Sequence, residues 1–131
     1  MKRNSVFLVG SKDGKREIHL DSIHADSILS YIKSDDRHRK KFLFISEIIL
    51  LGMKNAEVYD REKINDRAIH ITAMKFFKGQ ENDRIYCKEY SLNDKKHIVI
   101  AILLMKRKKS QKNDLRIKTL IETISTYEYD F

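Results

Sequence analysis

The chain has 131 residues, a formal net charge of +8, 41% hydrophobic and 35% charged residues, one cysteine and no proline. That length suits one domain that buries its own core without cross-links. The single Cys87 excludes an internal disulfide and points to a reducing compartment, and no Cys/His grouping has zinc-site spacing.

The start, MKRNSVFLVG, is basic and then only briefly apolar, too short for a secretory signal. His97 to Met105 is about half the span a transmembrane helix needs, so no membrane association is expected. A soluble, cytoplasmic protein follows from these features. The excess of positive charge favours a polyanionic partner, either nucleic acid or an acidic protein.

Val6 to Val9 is a short apolar run, and Glu17 to Leu20 alternates weakly. Between them lies SKDGK, where Asp13-Gly14 fits the two positive-φ positions of a type I′ turn, so a β-hairpin is predicted. Asp21 or Ser22 is placed to cap a helix reaching about Lys33, with Ile23, Ser27 and Tyr31, together with Ile28, Leu29 and Ile32, on its apolar face. Ser34-Asp35-Asp36 offers a second cap. The helix it opens runs to about Leu51 and stops at Gly52, with Phe42, Ile45, Ile48 and Ile49 along one side. Arg37, Arg39, Lys40 and Lys41 crowd its first turns, the unfavourable end of the helix dipole for cations.

Lys54 to Asp66 is polar and without a firm period, with room for a short strand at Glu57 to Tyr59. Ala68 to Phe77 reads as a strand, with Ile69, Ile71 and Ala73 facing one way and His70, Thr72, Met74 and Phe76 the other. A turn at Lys78 to Asn82 leads to a strand from Asp83 to Tyr90, and Asn93 to Lys96 turns into the next strand. His97 to Met105 has no polar alternation, the pattern of a strand covered on both faces. Lys106, Arg107, Lys108, Lys109 and Lys112 follow at once. Asn113 or Asp114 caps a final helix whose core face is Leu115, Leu120, Ile121 and Ile124. Hairpin, two helices, a three-strand meander and a helix, without βαβ alternation, define an α+β fold.

Three segments in this order, DRIYCKEY, HIVIAILLMKRKKSQKND and LRIKTLIETISTYEY, resemble the RelE superfamily of bacterial toxins, closest to its HigB-like, phage-derived branch. The resemblance covers nearly the whole chain. It implies a curved antiparallel sheet packed against helices and the toxin of a type II toxin–antitoxin pair. It further implies a ribosome-dependent mRNA endoribonuclease that needs no metal or other cofactor. The implied partners are a cognate antitoxin and mRNA on the ribosome. ParE-like members of the superfamily poison DNA gyrase by binding alone, and that reading stands as the alternative, beside a catalytically inactive protein that only binds RNA or a partner.

Cleavage by 2′-hydroxyl attack needs a base, cations for the charge that builds on the phosphate, and an acid for the leaving 5′-oxygen. By the resemblance, Arg84 matches the arginine of the family's R-I-x-Y strand and acts as the phosphate clamp. Lys106 and Lys108 match its basic run and are assigned to catalysis, with Arg107, Lys109 and Lys112 assigned to RNA binding. Lys75 stands where the family has an arginine, in a segment resembling x-E-L-R-F that here reads Thr72-Ala73-Met74-Lys75-Phe76. The glutamate proposed as base in some members is therefore Ala73. Tyr127 is a candidate for proton handling and Tyr129 for base stacking. His70 is read as structural, and Cys87 as buried and inert.

Overall fold

The computed structural model describes residues 2–62, 70–77, 82–106 and 115–131. The order of elements is β1 (Arg3–Gly10), β2 (Arg16–Asp21), α1 (Ala25–Ile32), α2 (Asp36–Leu50), β3 (Tyr59–Arg61), β4 (Ile71–Lys75), β5 (Arg84–Ser91), β6 (His97–Met105), α3 (Leu115–Ser125) and β7 (Tyr129–Asp130). Among the described residues the strands form one open sheet, ordered β3-β4-β5-β6-β2-β1-β7. The α+β class holds, with the expected hairpin and a meander that begins one strand early, at β3.

The expected purely antiparallel sheet is corrected to a mixed one. Strand β2 pairs with β6 in parallel, Arg16 opposite His97 through Leu20 opposite Ala101, and β7 pairs in parallel with β1. The physical reason is the central strand. β6 is apolar on both faces and needs a partner on each edge; β5 takes one and the hairpin takes the other. The final segment also departs from expectation: α3 ends at Ser125, and Tyr129 and Asp130 return to the sheet rather than continuing a helix.

Burial follows strand parity. Ile18, Leu20, Met74, Ile85, Val99 and Ala101 face α1 and α2, which contribute Ile28, Tyr31, Phe42, Ile45, Ile48 and Ile49. Ile71, Ala73, Tyr86, Ile98, Ile100 and Ile102 face α3, which contributes Ile117, Ile121 and Ile124. Leu115, expected in this core, is exposed, because the buried stripe runs at i, i+4, i+7 from Ile117. A register shift opposite Tyr86 and Cys87 leaves Ile102 as an extra residue on β6. Its carbonyl accepts a hydrogen bond from His24 Nδ1 at 2.8 Å, tying α1 to the central strand.

The turn chemistry differs in detail from the sequence reading. Only Gly14 of the Asp13-Gly14 pair has positive φ, at 72°. The Asp13 carboxylate accepts from Ser11 Oγ and Lys15 N, which stabilises a longer loop than the two-residue type I′ turn. Asp21 does not open α1 as an N-cap; it sits further back, accepting from the backbone N–H groups of Ile23 and His24. For α2 the sequence signals hold: Asp35 accepts from His38 N at 2.8 Å, and Gly52 follows the helix end with φ 68°. The expected caps Asn113 and Asp114, and residues 78–81 of the expected turn before β5, lie outside the described residues. No helix among the described residues is long and apolar enough to cross a membrane.

Gly52 carries a testable consequence. A Cβ there would meet the Arg16 guanidinium at 2.9 Å, in a left-handed backbone that side chains rarely adopt. Gly52→Ala is expected to lose about 1–2 kcal/mol of stability, measured by urea denaturation. Gly14→Ala, with equally positive φ but open space around it, is expected to lose less.

Candidate functional site

The expected clamp, Arg84, opens β5 directly opposite Lys75 of β4 and Met105 of β6. Strand geometry sets the Cα atoms of Arg84 and Lys75 about 5 Å apart. Both belong to the α3 face of the sheet, by the same alternation that puts Tyr86 and Ala73 there. The register thus makes their backbone positions neighbours.

The partner of Arg84 was not foreseen. Its guanidinium Nη1 donates to Glu62 Oε1, in an ion pair whose side chains are 19% and 6% exposed. Glu62 follows β3, and its N–H bonds to the Ile71 carbonyl. In this register Ala73 lies on the same face between the levels of Glu62 and Arg84. The small side chain at position 73 leaves the surface of β4 low enough for two long side chains to meet across it. Glu62, just past β3, thereby places a carboxylate over this part of the sheet. Arg84 Nε is buried and has no hydrogen-bond partner among the described residues, so a charged donor remains unsatisfied beside the carboxylate. The Lys75 ammonium is turned to the sheet edge, where it donates to the Ala56 carbonyl at 3.0 Å.

Lys106 lies at the same end of the sheet but on the other face. It lines an open cleft with Tyr31, Arg37, His38, Asp83 and the Ser34 hydroxyl, at the N-terminal end of α2. Tyr31 OH donates to Asp83 Oδ2 at 2.8 Å, and the Arg37 guanidinium lies 4.0 Å over the Phe77 ring. Cations crowded at this helix start are accommodated by local partners, Asp36 for Arg39 and the Phe77 ring for Arg37.

The C-terminal tyrosines are placed away from Arg84. Lys88, four residues along β5 and roughly 13 Å distant by strand rise, donates to the Ser125 and Tyr127 carbonyls at 2.7 and 2.8 Å. Burial lowers the pKa of this ammonium, which ties the end of α3 to the sheet. The Tyr127 ring lies under the Arg3 guanidinium at 4.0 Å. Tyr129 is buried, with its hydroxyl donating to Asp21 Oδ2 at 2.6 Å; burial and the Asp21 carboxylate raise its pKa far above the phenol range. In these places both tyrosines serve the closure of the fold rather than a common site with Arg84.

His70 is an exposed turn residue before β4. Cys87 is fully buried, on the face opposite Arg84, and burial pushes its thiol pKa far above the usual value. Arg107, Lys108, Lys109 and Lys112 lie outside the described residues. Among the described residues no three His, Cys, Asp or Glu side chains gather as metal ligands. Comparison with protein-family models, curated proteins and solved structures finds no match.

Proposed function

We propose that the chain is an endoribonuclease, the toxin of a toxin–antitoxin pair, acting on mRNA in the cytoplasm without a metal ion. The observation that carries this reading is the Glu62–Arg84 pair on the α3 face, with Lys75 opposite in register. A carboxylate beside an arginine with a spare donor supplies two of the three parts that 2′-hydroxyl attack requires, the base and the phosphate-binding cation. Glu62 takes the proton of the 2′-hydroxyl, and O2′ attacks the adjacent phosphorus. Arg84, through Nε and the Nη groups that turn from Glu62, holds the phosphate oxygens as negative charge builds. The P–O5′ bond breaks and the 5′-oxygen takes a proton from solvent water while Glu62 returns its own proton to solvent, leaving a 2′,3′-cyclic phosphate and a 5′-hydroxyl. An acidic antitoxin is the partner suited to a surface of this charge.

Primer extension on mRNA, free and on programmed ribosomes, tests the proposal. New cuts are expected with the wild-type protein, confined to the decoding site if the ribosome is required. No cuts on either template would sink the endonuclease reading, and DNA damage on expression with intact mRNA would favour gyrase inhibition instead.

A further inference from the structure

A second concave site lies on the other face of the sheet, under the C-terminal end of α2. It is a cavity of about 580 Å³, roofed by Ile49, Gly52 and residues 53–56, and floored by strand residues that include Tyr59, Thr72, Glu89, His97 and Val99. Its volume falls within the range of small-molecule sites. It opens on the face opposite the Glu62–Arg84 pair: Arg61 directly precedes Glu62 in the chain but belongs to the cavity side with Thr72, and Glu89 is five residues from Arg84 along β5, roughly 17 Å by strand rise.

Charge distinguishes this cavity. Arg16, Lys54 and Arg61 line it against two carboxylates, Asp60 and Glu89, and the charge of Arg61 acts on Glu89. Arg16 is held in place, its guanidinium packed on Gly52, where any side chain would collide with it. One of the cavity's carboxylates, the partly exposed Glu89, is already engaged. Glu89 accepts from the Tyr59 hydroxyl and lies 3.6 Å from His97 Nε2; its pKa is held down by His97 first, against the effect of burial. Tyr59 OH also meets Thr72 Oγ1 at 2.7 Å, so these side chains form a fixed floor. With Glu89 already held by Tyr59 and His97, the three cations outnumber the carboxylates around the cavity, and an anion relieves their mutual repulsion. Ile49, Met53, Val99 and the Tyr59 ring give part of the wall an apolar surface, which suits a flat ring more than a bare inorganic ion, beside the polar Asn55 and Asp60.

We propose that this cavity binds a nucleoside monophosphate unit, with its phosphate on Arg16, Arg61 and Lys54 and its base against Met53 and Tyr59. The site is independent of the endonuclease reading, since it uses neither Glu62 nor Arg84. The unit comes either from a free nucleotide or from an RNA chain.

Calorimetric titration of the full chain distinguishes these sources. The probes are the four nucleoside 5′-monophosphates, their nucleosides, inorganic phosphate, and a short RNA made uncleavable by 2′-deoxy substitution. Saturable 1:1 binding of a monophosphate, weakened about tenfold or more by Arg16→Gln or Arg61→Gln and retained in Arg84→Ala, supports a free nucleotide. The same dependence seen only with the RNA supports a chain-borne unit. Lys54→Gln, on the exposed loop, carries the test if Arg16→Gln fails to fold. Binding by neither probe, binding indifferent to all three substitutions, or inorganic phosphate binding as tightly as any nucleotide would overturn the proposal.

Discussion

Asp21→Ala is expected to lower stability by about 3–5 kcal/mol, the loss that follows when one partner of a buried ion pair is removed. Asp21 has no exposed surface. Its carboxylate accepts from Arg3 Nε at 2.7 Å and Arg3 Nη2 at 3.0 Å, from Tyr129 OH at 2.6 Å, and from the N–H groups of Ile23 and His24. One side chain thereby joins the end of the hairpin, the start of α1 and the returning C-terminal strand. Truncation leaves a largely buried guanidinium and a buried phenol without their acceptor, and water reaches neither easily. Urea denaturation measures the loss. Tyr129→Phe removes one hydrogen bond and no charge, so it is expected to lose only about 1–3 kcal/mol. A loss below about 1 kcal/mol for Asp21→Ala would show that the pair only balances its own desolvation.

The acid dependence of the same group has a definite sign. Burial pushes the Asp21 pKa up, but the hydrogen bonds from Arg3 and Tyr129 and the charge of Arg3 outweigh it and hold the value below the ordinary carboxylate range. The folded state therefore releases the proton more readily than the unfolded chain. The contribution of Asp21 is complete above the unfolded value, about 3.9, and disappears as pH falls through the lower folded value. The difference in stability between wild type and Asp21→Ala is expected to stay constant from neutral pH to about pH 5 and to shrink below about pH 4.

What could be read in the chain was local. Asp35 as cap, Gly52 as helix stop and the core stripe of α2 depend on neighbours within a few turns, and they appear as expected. The continuous apolar run of β6 identified the central strand because nothing but burial on both faces accommodates it. Pairing partners are another matter. The parallel contact of β2 with β6 and the return of β7 beside β1 join segments far apart in sequence, and no periodicity encodes them. Asp21 read as a helix cap because its local pattern allows that; its Arg3 and Tyr129 partners are set only by the assembled sheet. Glu62 was hidden in a polar stretch without a period, and its meeting with Arg84 depends on the register of three strands. The one signal was Ala73, a small residue within a strand of larger ones, which marks a place where something crosses.

Glu62→Gln is expected to reduce kcat for RNA cleavage by about 10²- to 10⁴-fold, the range for loss of a general base, with little change in KM. The amide keeps an oxygen for Arg84, so the ion pair becomes a hydrogen bond from a charged guanidinium to a neutral acceptor. What is lost is the capacity to accept the 2′-hydroxyl proton. Arg84→Ala acts differently. It removes the donor for the phosphate oxygens, and kcat/KM is expected to fall about 10²- to 10³-fold. Arg84→Lys restores charge but not the planar fork, so it recovers only part of that loss. Single-turnover cleavage with thermal melts on each variant separates chemistry from folding. Two results would count against the assignment. Full activity in Glu62→Gln would take Glu62 out of the proton transfer. Equal loss in Glu62→Gln and Arg84→Ala, each with a lowered melting temperature, would make the pair a strut of the β3–β5 edge and leave the chemistry to the basic segment that follows β6.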